Sequence, residues 1–241
     1  MEIAYDGARY KGWQRLGNNP NTVQEKIETV LSKFADKKVE IHGSGRTDAG
    51  VHALNQCASF ELKKESDPFE IKEYLNRYLP DDIAINLVVS TDERFHARYN
   101  AVSKIYQYRI RMSDVVDPFQ RKYSLFIDRE LNVNLMEKGA TFFIGEHDFT
   151  AYTTAKSKKK SFVREIKRID IYTEGEELII DVEGTGFLHN MVRMMIGSLI
   201  EVGFKNMKPT QIKENLKSGD RSQTGPTAPP HGLFLKEVIY E

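Results

Sequence analysis

An α+β fold built from two β-α-β-β-α-β halves is what this sequence of 241 residues predicts, and three observations predict it. Short apolar runs typical of strands alternate with runs at helical spacing, the same order of runs occurs twice, and the halves share that pattern without residue-level repetition. In the first half, residues 2 to 5 begin a short apolar strand. NTVQEKIETVLSKF then sets Val23, Ile27, Val30, Leu31 and Phe34 on one helical face, and Thr22 followed by Glu25 makes a capping box at its start. Strand KVEIHG, a glycine-rich loop and strand QCASFEL come next, then helix FEIKEYLNRYL, stopped by Pro80, and strand IAINLVV. The second half opens with strand KIYQYRIRM and a helix over residues 131 to 143. Strands VREIKRIDIY and ELIIDVEG follow, then a helix from Phe187 to Val202 ended by Gly203. An extra short helix, PTQIKENLK, and the proline-rich loop GPTAPPHG precede the last strand, GLFLKEVIY. Two ferredoxin-like halves of this kind are expected to join into an extended antiparallel sheet, with a central cleft between them as the natural active site. The division is expected near residues 90 to 103, giving an N-terminal half of 1–95 and a C-terminal half of 96–241.

Hydrophobic content of 40% and charged content of 29% are ordinary for a globular chain and argue against disorder. No apolar run is long enough to span a bilayer, and residues 1–20 lack the basic flank and apolar stretch of a signal peptide, so a cytoplasmic protein is expected. Cys57 is the single cysteine, cannot make an internal disulfide, and reads as a buried core thiol in NQCASFEL.

Charge is balanced in total, 35 basic against 35 acidic residues, and uneven in distribution. From Arg94 to Arg111 there are five Lys/Arg, four aromatics and no acid; from Lys156 to Arg168 there are seven Lys/Arg and one acid. Two basic tracts in a neutral protein suit a surface that follows a phosphate backbone, although solvated faces would look similar. Aromatics among the bases favour the first reading for the Arg94 tract, because stacking and phosphate contact are what an RNA-binding surface combines.

The stretch with most chemical content is GSGRTDAGVHA, residues 43 to 53, which isolates one carboxylate, Asp48, two positions after Arg46. Gly43, Gly45 and Gly50 allow a sharp turn or a close approach to a ligand. Taken alone, Asp48 reads most simply as a turn residue. A glycosidase would need a second carboxylate facing the same bond, and neither this loop nor the Arg94 tract supplies one. The six histidines are scattered without ligand spacing, so no metal site is expected. GTGFLHN carries His189 where a dinucleotide-binding turn needs a third Gly or Ala, and no GxxxxGK loop is present. A lone acid beside RNA-binding features remains.

With YDGARYKGWQ (5–14), RFHARYNAVSKIYQYRI (94–110), GTGFLHNMVRMMIGSL (184–199) and GPTAPPHGLFL (225–235), that stretch resembles the TruA family of tRNA pseudouridine synthases, block by block over nearly the whole chain. The resemblance implies isomerisation of uridine to pseudouridine in the tRNA anticodon stem-loop, at positions 38, 39 and 40, with no metal and no organic cofactor. It also implies tRNA as partner and a homodimer. By the same resemblance Asp48 is the catalytic aspartate, acting on C6 of the base, on C1′ of the ribose, or by assisting loss of the 2′ proton, and Arg193 is the arginine paired with it. Tyr106 matches the tyrosine that stacks on the flipped uracil, and Leu233 lines the uracil pocket. Arg46 matches the arginine that enters the RNA helix as the nucleotide leaves it. Phe95, His96, Ala97, Arg98 and Tyr99 correspond to one tRNA-contact region, with Arg98 the phosphate ligand. Ser157, Lys158, Lys159, Lys160 and Ser161 stand where the family makes a second contact. Without the resemblance, Tyr106 would read as a core tyrosine in an alternating strand with Tyr108, Ile110 and Met112, and Arg193 as a solvent-side helix residue. Ala8 departs from the family's common Thr and Pro230 from its Ala, and the chain starts close to YDG, so either a truncated start or a short edge strand is expected. A catalytically silent RNA-binding module, or a paralogue acting on other uridines, is the competing reading; Asp48, Tyr106 and Arg193 together favour the enzyme.

Overall fold

Residues 1–62, 66–155 and 161–241 are described by the structure, a computed structural model. The chain divides into one unit of Met1–Val102 with Phe234–Glu241 and a second of Ser103–Leu233. In chain order the first elements are β1 (Glu2–Tyr5), α1 (Val23–Phe34), β2 (His42–Gly43), β3 (His52–Ser59), α2 (Pro68–Tyr78), β4 (Ile83–Leu87) and β5 (Ala101–Met112). There follow β6 (Leu125–Ile127), α3 (Val133–Ala140), β7 (Gly145–Asp148), β8 (Val163–Glu174), β9 (Glu177–Gly184), α4 (Met191–Gly203), α5 (Pro209–Ser218) and β10 (Leu233–Tyr240). The α+β class and the mostly antiparallel pairing expected from the sequence are present.

In the first unit the strands lie in the order β4-β1-β3, with β2 on the far edge of β3 and every one of these pairs antiparallel. That is the order a β-α-β-β-α-β unit takes when its two crossovers have the same hand. β10 runs parallel to the start of β3, Phe234 opposite His52 and Leu235 opposite Ala53, so β3 shares one edge between two strands. In the second unit β5, β9, β8 and β7 are successive antiparallel neighbours, and the short β6 lies parallel to the end of β5.

α1 forms where its apolar spacing predicts: Val23, Ile27 and Leu31 are fully buried, and the Thr22 hydroxyl accepts the Glu25 N–H at 3.3 Å. Polar residues of the same helix overturn the expected strand at KVEIHG. Buried Gln24 and Glu28 reach the backbone of Ile41, Gln24 donating to its carbonyl at 3.1 Å and Glu28 accepting its N–H at 3.0 Å. Ser32 accepts the Val39 N–H at 2.9 Å. With these groups satisfied by the helix, only His42–Gly43 remains to pair as β2.

In the second unit α4 is the core helix, with Met191, Met194, Met195, Ile196, Leu199 and Val202 all buried. It starts four residues after the expected Phe187, because Asn190 sits at φ 61°, in the left-handed region, and closes a turn before the helix begins. The helix expected over 131 to 143 is α3 followed by a single 3₁₀ turn, Thr141–Phe143. β6 and β7 were not expected; each exists through its neighbour, β5 or β8. Cys57 is half-buried rather than fully buried. Among the described residues no helix is long and apolar enough to cross a membrane.

Candidate active site

Residues 44–51 connect β2 to β3 and carry Asp48. The loop is fixed on both sides of that residue. Thr47 is buried, its carbonyl accepting the Trp13 N–H at 3.1 Å and its hydroxyl sharing a 2.8 Å hydrogen bond with Tyr5. On the near side the Gln56 amide donates to the Gly45 carbonyl at 3.1 Å; on the far side the Val51 N–H bonds the Asp48 carbonyl at 3.2 Å, with Gly50 at φ 78° making the turn. Gly43 serves close approach, though not to a ligand: a Cβ there would stand 2.6 Å from the Trp13 ring. The outcome is an anchored backbone from which Asp48 emerges half-buried and Arg46 exposed.

The 5–14 segment, which reaches this loop through Tyr5 and Trp13, is itself held by Asp82, a residue that no motif singled out. Arg9 and the Tyr10 hydroxyl both donate to its carboxylate at 2.5 Å. Burial alone would raise the Asp82 pKa, but the bonds from Tyr10 and Arg9 outweigh it and hold the carboxyl below its ordinary value. His52, 1% exposed, accepts the Gly7 N–H on Nδ1 at 3.0 Å and stacks on Phe234 at 4.7 Å. The only sequence signal for Asp82 was its place between Pro80 and β4.

In the second unit Arg193 is not a solvent-side residue. Its Nε donates to the Ala228 carbonyl at 2.7 Å, one Nη donates to Asn190 Oδ1 at 2.8 Å, and its own carbonyl accepts the Ala228 N–H at 3.0 Å. The 225–228 stretch can lie this close to α4 because residue 197 has no side chain: a Cβ on Gly197 would stand 1.6 Å from the Pro226 carbonyl oxygen. Asn190 in turn donates to Thr154, whose hydroxyl is 2.8 Å from His189 Nδ1. Burial lowers the His231 pKa, a Ser124 backbone bond opposing and the Arg193 charge adding to the shift. Tyr106 is 7% exposed and edge-on to Phe187 at 5.0 Å, and Leu233 is buried at the start of β10.

The FHARY turn belongs to the first unit. Ala97, expected among the RNA contacts, is fully buried; its N–H bonds Ser59 Oγ at 3.1 Å and its carbonyl accepts the Tyr240 hydroxyl at 2.7 Å. It anchors the turn and has no surface to offer RNA. Arg98 and Tyr99 are exposed, whereas Phe95 and His96 are half-buried against Tyr240 and against His42 and Tyr99. Ser157, Lys158, Lys159 and Lys160 lie outside the described residues. Ser161 is exposed and accepts the Val163 N–H at 3.1 Å. Among the described residues no group of three or more His, Cys, Asp or Glu stands together in a way that could hold a metal ion.

A family model described as tRNA pseudouridine synthase matches residues 1–100 and 140–241. A tRNA pseudouridine synthase A from a Bacillus species is 53% identical over 240 residues, covering 100% of this chain and 98% of its own length. A tRNA pseudouridine synthase A 2 from Bacillus cereus is 49% identical over 240 residues, with coverage of 100% and 98%. A tRNA pseudouridine synthase A 1 from Clostridium tetani is 44% identical over 241 residues, again with coverage of 100% and 98%.

Proposed function

The chain belongs to the family of tRNA pseudouridine synthases, and from that premise we propose that it isomerises uridine in the tRNA anticodon stem-loop, at positions 38, 39 and 40, with Asp48 as its catalytic carboxylate. The reaction breaks the N1–C1′ bond, turns the uracil and forms a C5–C1′ bond. C5 loses a proton and N1 gains one, so no water or redox partner is consumed. One carboxylate suffices as nucleophile or electrostatic stabiliser, and a second one activating water would divert the intermediate to hydrolysis. The observation that carries the proposal is the 44–51 loop, which pins Thr47 and the Asp48 backbone while the carboxylate-bearing residue stays half-exposed.

Arg193 takes the role of positive partner to the catalytic carboxylate in this reading, and its grip on Ala228 and Asn190 supports a fixed guanidinium. Tyr106 and Leu233 contact the uracil, and the exposed Arg46 fills the space the flipped nucleotide leaves. Arg98, Tyr99, Phe95, His96 and residues 157–161 hold the RNA. The reading further implies a homodimer working in the cytoplasm. A binding module without chemistry is not favoured, since the full-length relatives at 53% and 49% identity are named as synthases.

The test is release of tritium from tRNA transcribed with [5-³H]uridine and incubated with the protein. Release with one pseudouridine formed per tritium supports the proposal. No release from any tRNA with uridine at 38, 39 or 40 refutes it.

A further inference from the structure

A stair of three rings stands on the first unit, and its first step, His42, has no part in the proposed chemistry. The His42 and His96 rings stack with centroids 5.1 Å apart and planes 28° from parallel. His96 meets Tyr99 at 4.4 Å and 39°. Tyr99 ends the stair 77% exposed, with the Arg98 guanidinium 5.8 Å from its ring centroid.

The backbone beneath the rings is tied down at each step. His42 is paired with Ser59 across β2 and β3, and the Ser59 hydroxyl accepts the Ala97 N–H. Asn100 Oδ1 accepts the His96 N–H at 2.7 Å, and His96 Nδ1 accepts the Arg98 N–H at 3.1 Å. The stair is therefore in register with β2, which leads directly into the loop bearing Asp48.

An exposed aromatic face with a cation beside it suits a flat π-surface that carries negative charge next to it. A nucleobase and its phosphate have that chemistry, and base-on-ring stacking tolerates any base. The neighbours Arg94, Arg98 and Asn100 are exposed and polar, which gives no continuous apolar area for a protein partner. We propose that His42, His96 and Tyr99 form a stacking platform for an unpaired nucleobase of the RNA substrate, with Arg98 on the adjoining phosphate and His42 as a positioning residue that fixes the stair. The inference rests on the tRNA reading above and adds His42 and the kind of contact to it.

The experiment measures kcat and KM on tRNA for His42→Ala, Tyr99→Ala and His42→Phe, and follows tryptophan emission of Tyr99→Trp as tRNA is added. Trp13 is 2% exposed, so the new indole is the RNA-accessible one. The alanine variants are expected to raise KM about five- to hundred-fold with kcat within about two-fold of wild type, the span that loss of one stacked base allows. His42→Phe restores KM, and tRNA quenches the Tyr99→Trp emission. Unchanged KM in both alanine variants, or emission that saturating tRNA does not alter, would overturn the platform. Absence of pseudouridine formation by the wild type would instead overturn the synthase reading, and quenching of Tyr99→Trp would still report the platform.

Discussion

Gly197→Ala tests whether the contact between α4 and the 225–228 loop positions Arg193. The added Cβ would stand 1.6 Å from the Pro226 carbonyl oxygen and 2.9 Å from its carbon, both of them backbone atoms. The loop must retreat by about 1.4 Å to reach even a 3.0 Å separation. That movement strains the Gly225 N–H bond to Ser198 at 2.9 Å and both bonds between Ala228 and Arg193, at 2.7 and 3.0 Å. Overpacking typically costs about 1–3 kcal/mol and alanine in a helix interior returns about 1 kcal/mol, but the atoms met here are backbone and cannot swing aside, so the cost lies at the upper end or above and the net stability loss is about 2 kcal/mol or more. Activity should suffer more, because displacement of a reacting or charge-bearing group by about 1 Å costs on the order of a hundred-fold. The assay is single-turnover tritium release at saturating enzyme, alongside thermal melting. Gly219→Ala is the control: Gly219 has φ 66° and its added Cβ meets only the Thr150 side chain, at 3.7 Å. It should cost about 1 kcal/mol through backbone strain and leave turnover intact. Wild-type turnover in Gly197→Ala would refute the idea that loop contact positions Arg193.

Further outcomes follow from the same geometry. Arg98→Ala should weaken tRNA binding and reduce the slope of log affinity against log salt by about one, measured by filter binding at several salt concentrations. An unchanged slope would remove Arg98 from the phosphate contacts. Glu28→Ala strips the Ile41 N–H and Arg15 of a buried acceptor and should cost about 1–3 kcal/mol in urea unfolding, whereas a loss within error would contradict the role given to that carboxylate. Asp82 has its folded pKa below the unfolded value, so it stabilises the protein above about pH 4, and that contribution is lost as the pH falls through the folded pKa. Asp82→Asn should therefore be less stable than wild type at pH 7, with a gap that closes in acid; an equal gap at both extremes would count against it.

The sequence made α1 legible because Val23, Ile27 and Leu31 repeat at helical spacing and are buried in that order. The same helix concealed the fate of KVEIHG, since nothing local shows that Gln24 and Glu28 turn inward to bind Ile41. β3 begins at His52 and not at Gln56, for its first residues pair with Tyr5 and with β10, partners distant in sequence. The Asp48 loop was visible as a motif, but its supports were not: Trp13 and Tyr5 hold Thr47, and Asp82 holds Tyr10 in the same segment, across gaps that spacing does not reveal. Ala97 shows the reverse gap: the motif marks the residue, and only the structure shows that it is buried and anchors the 95–99 turn.

The central claim is that Asp48 is the carboxylate that isomerises uridine, and the hydrogen on uracil C5 gives the most direct measurement of it. Whichever atom Asp48 engages first, that hydrogen must leave. Asp48→Asn, matched to wild type in melting temperature and tRNA affinity, should release no tritium from [5-³H]uridine tRNA while wild type releases it from each modified position. Turnover by Asp48→Asn at a rate near that of wild type would contradict the account.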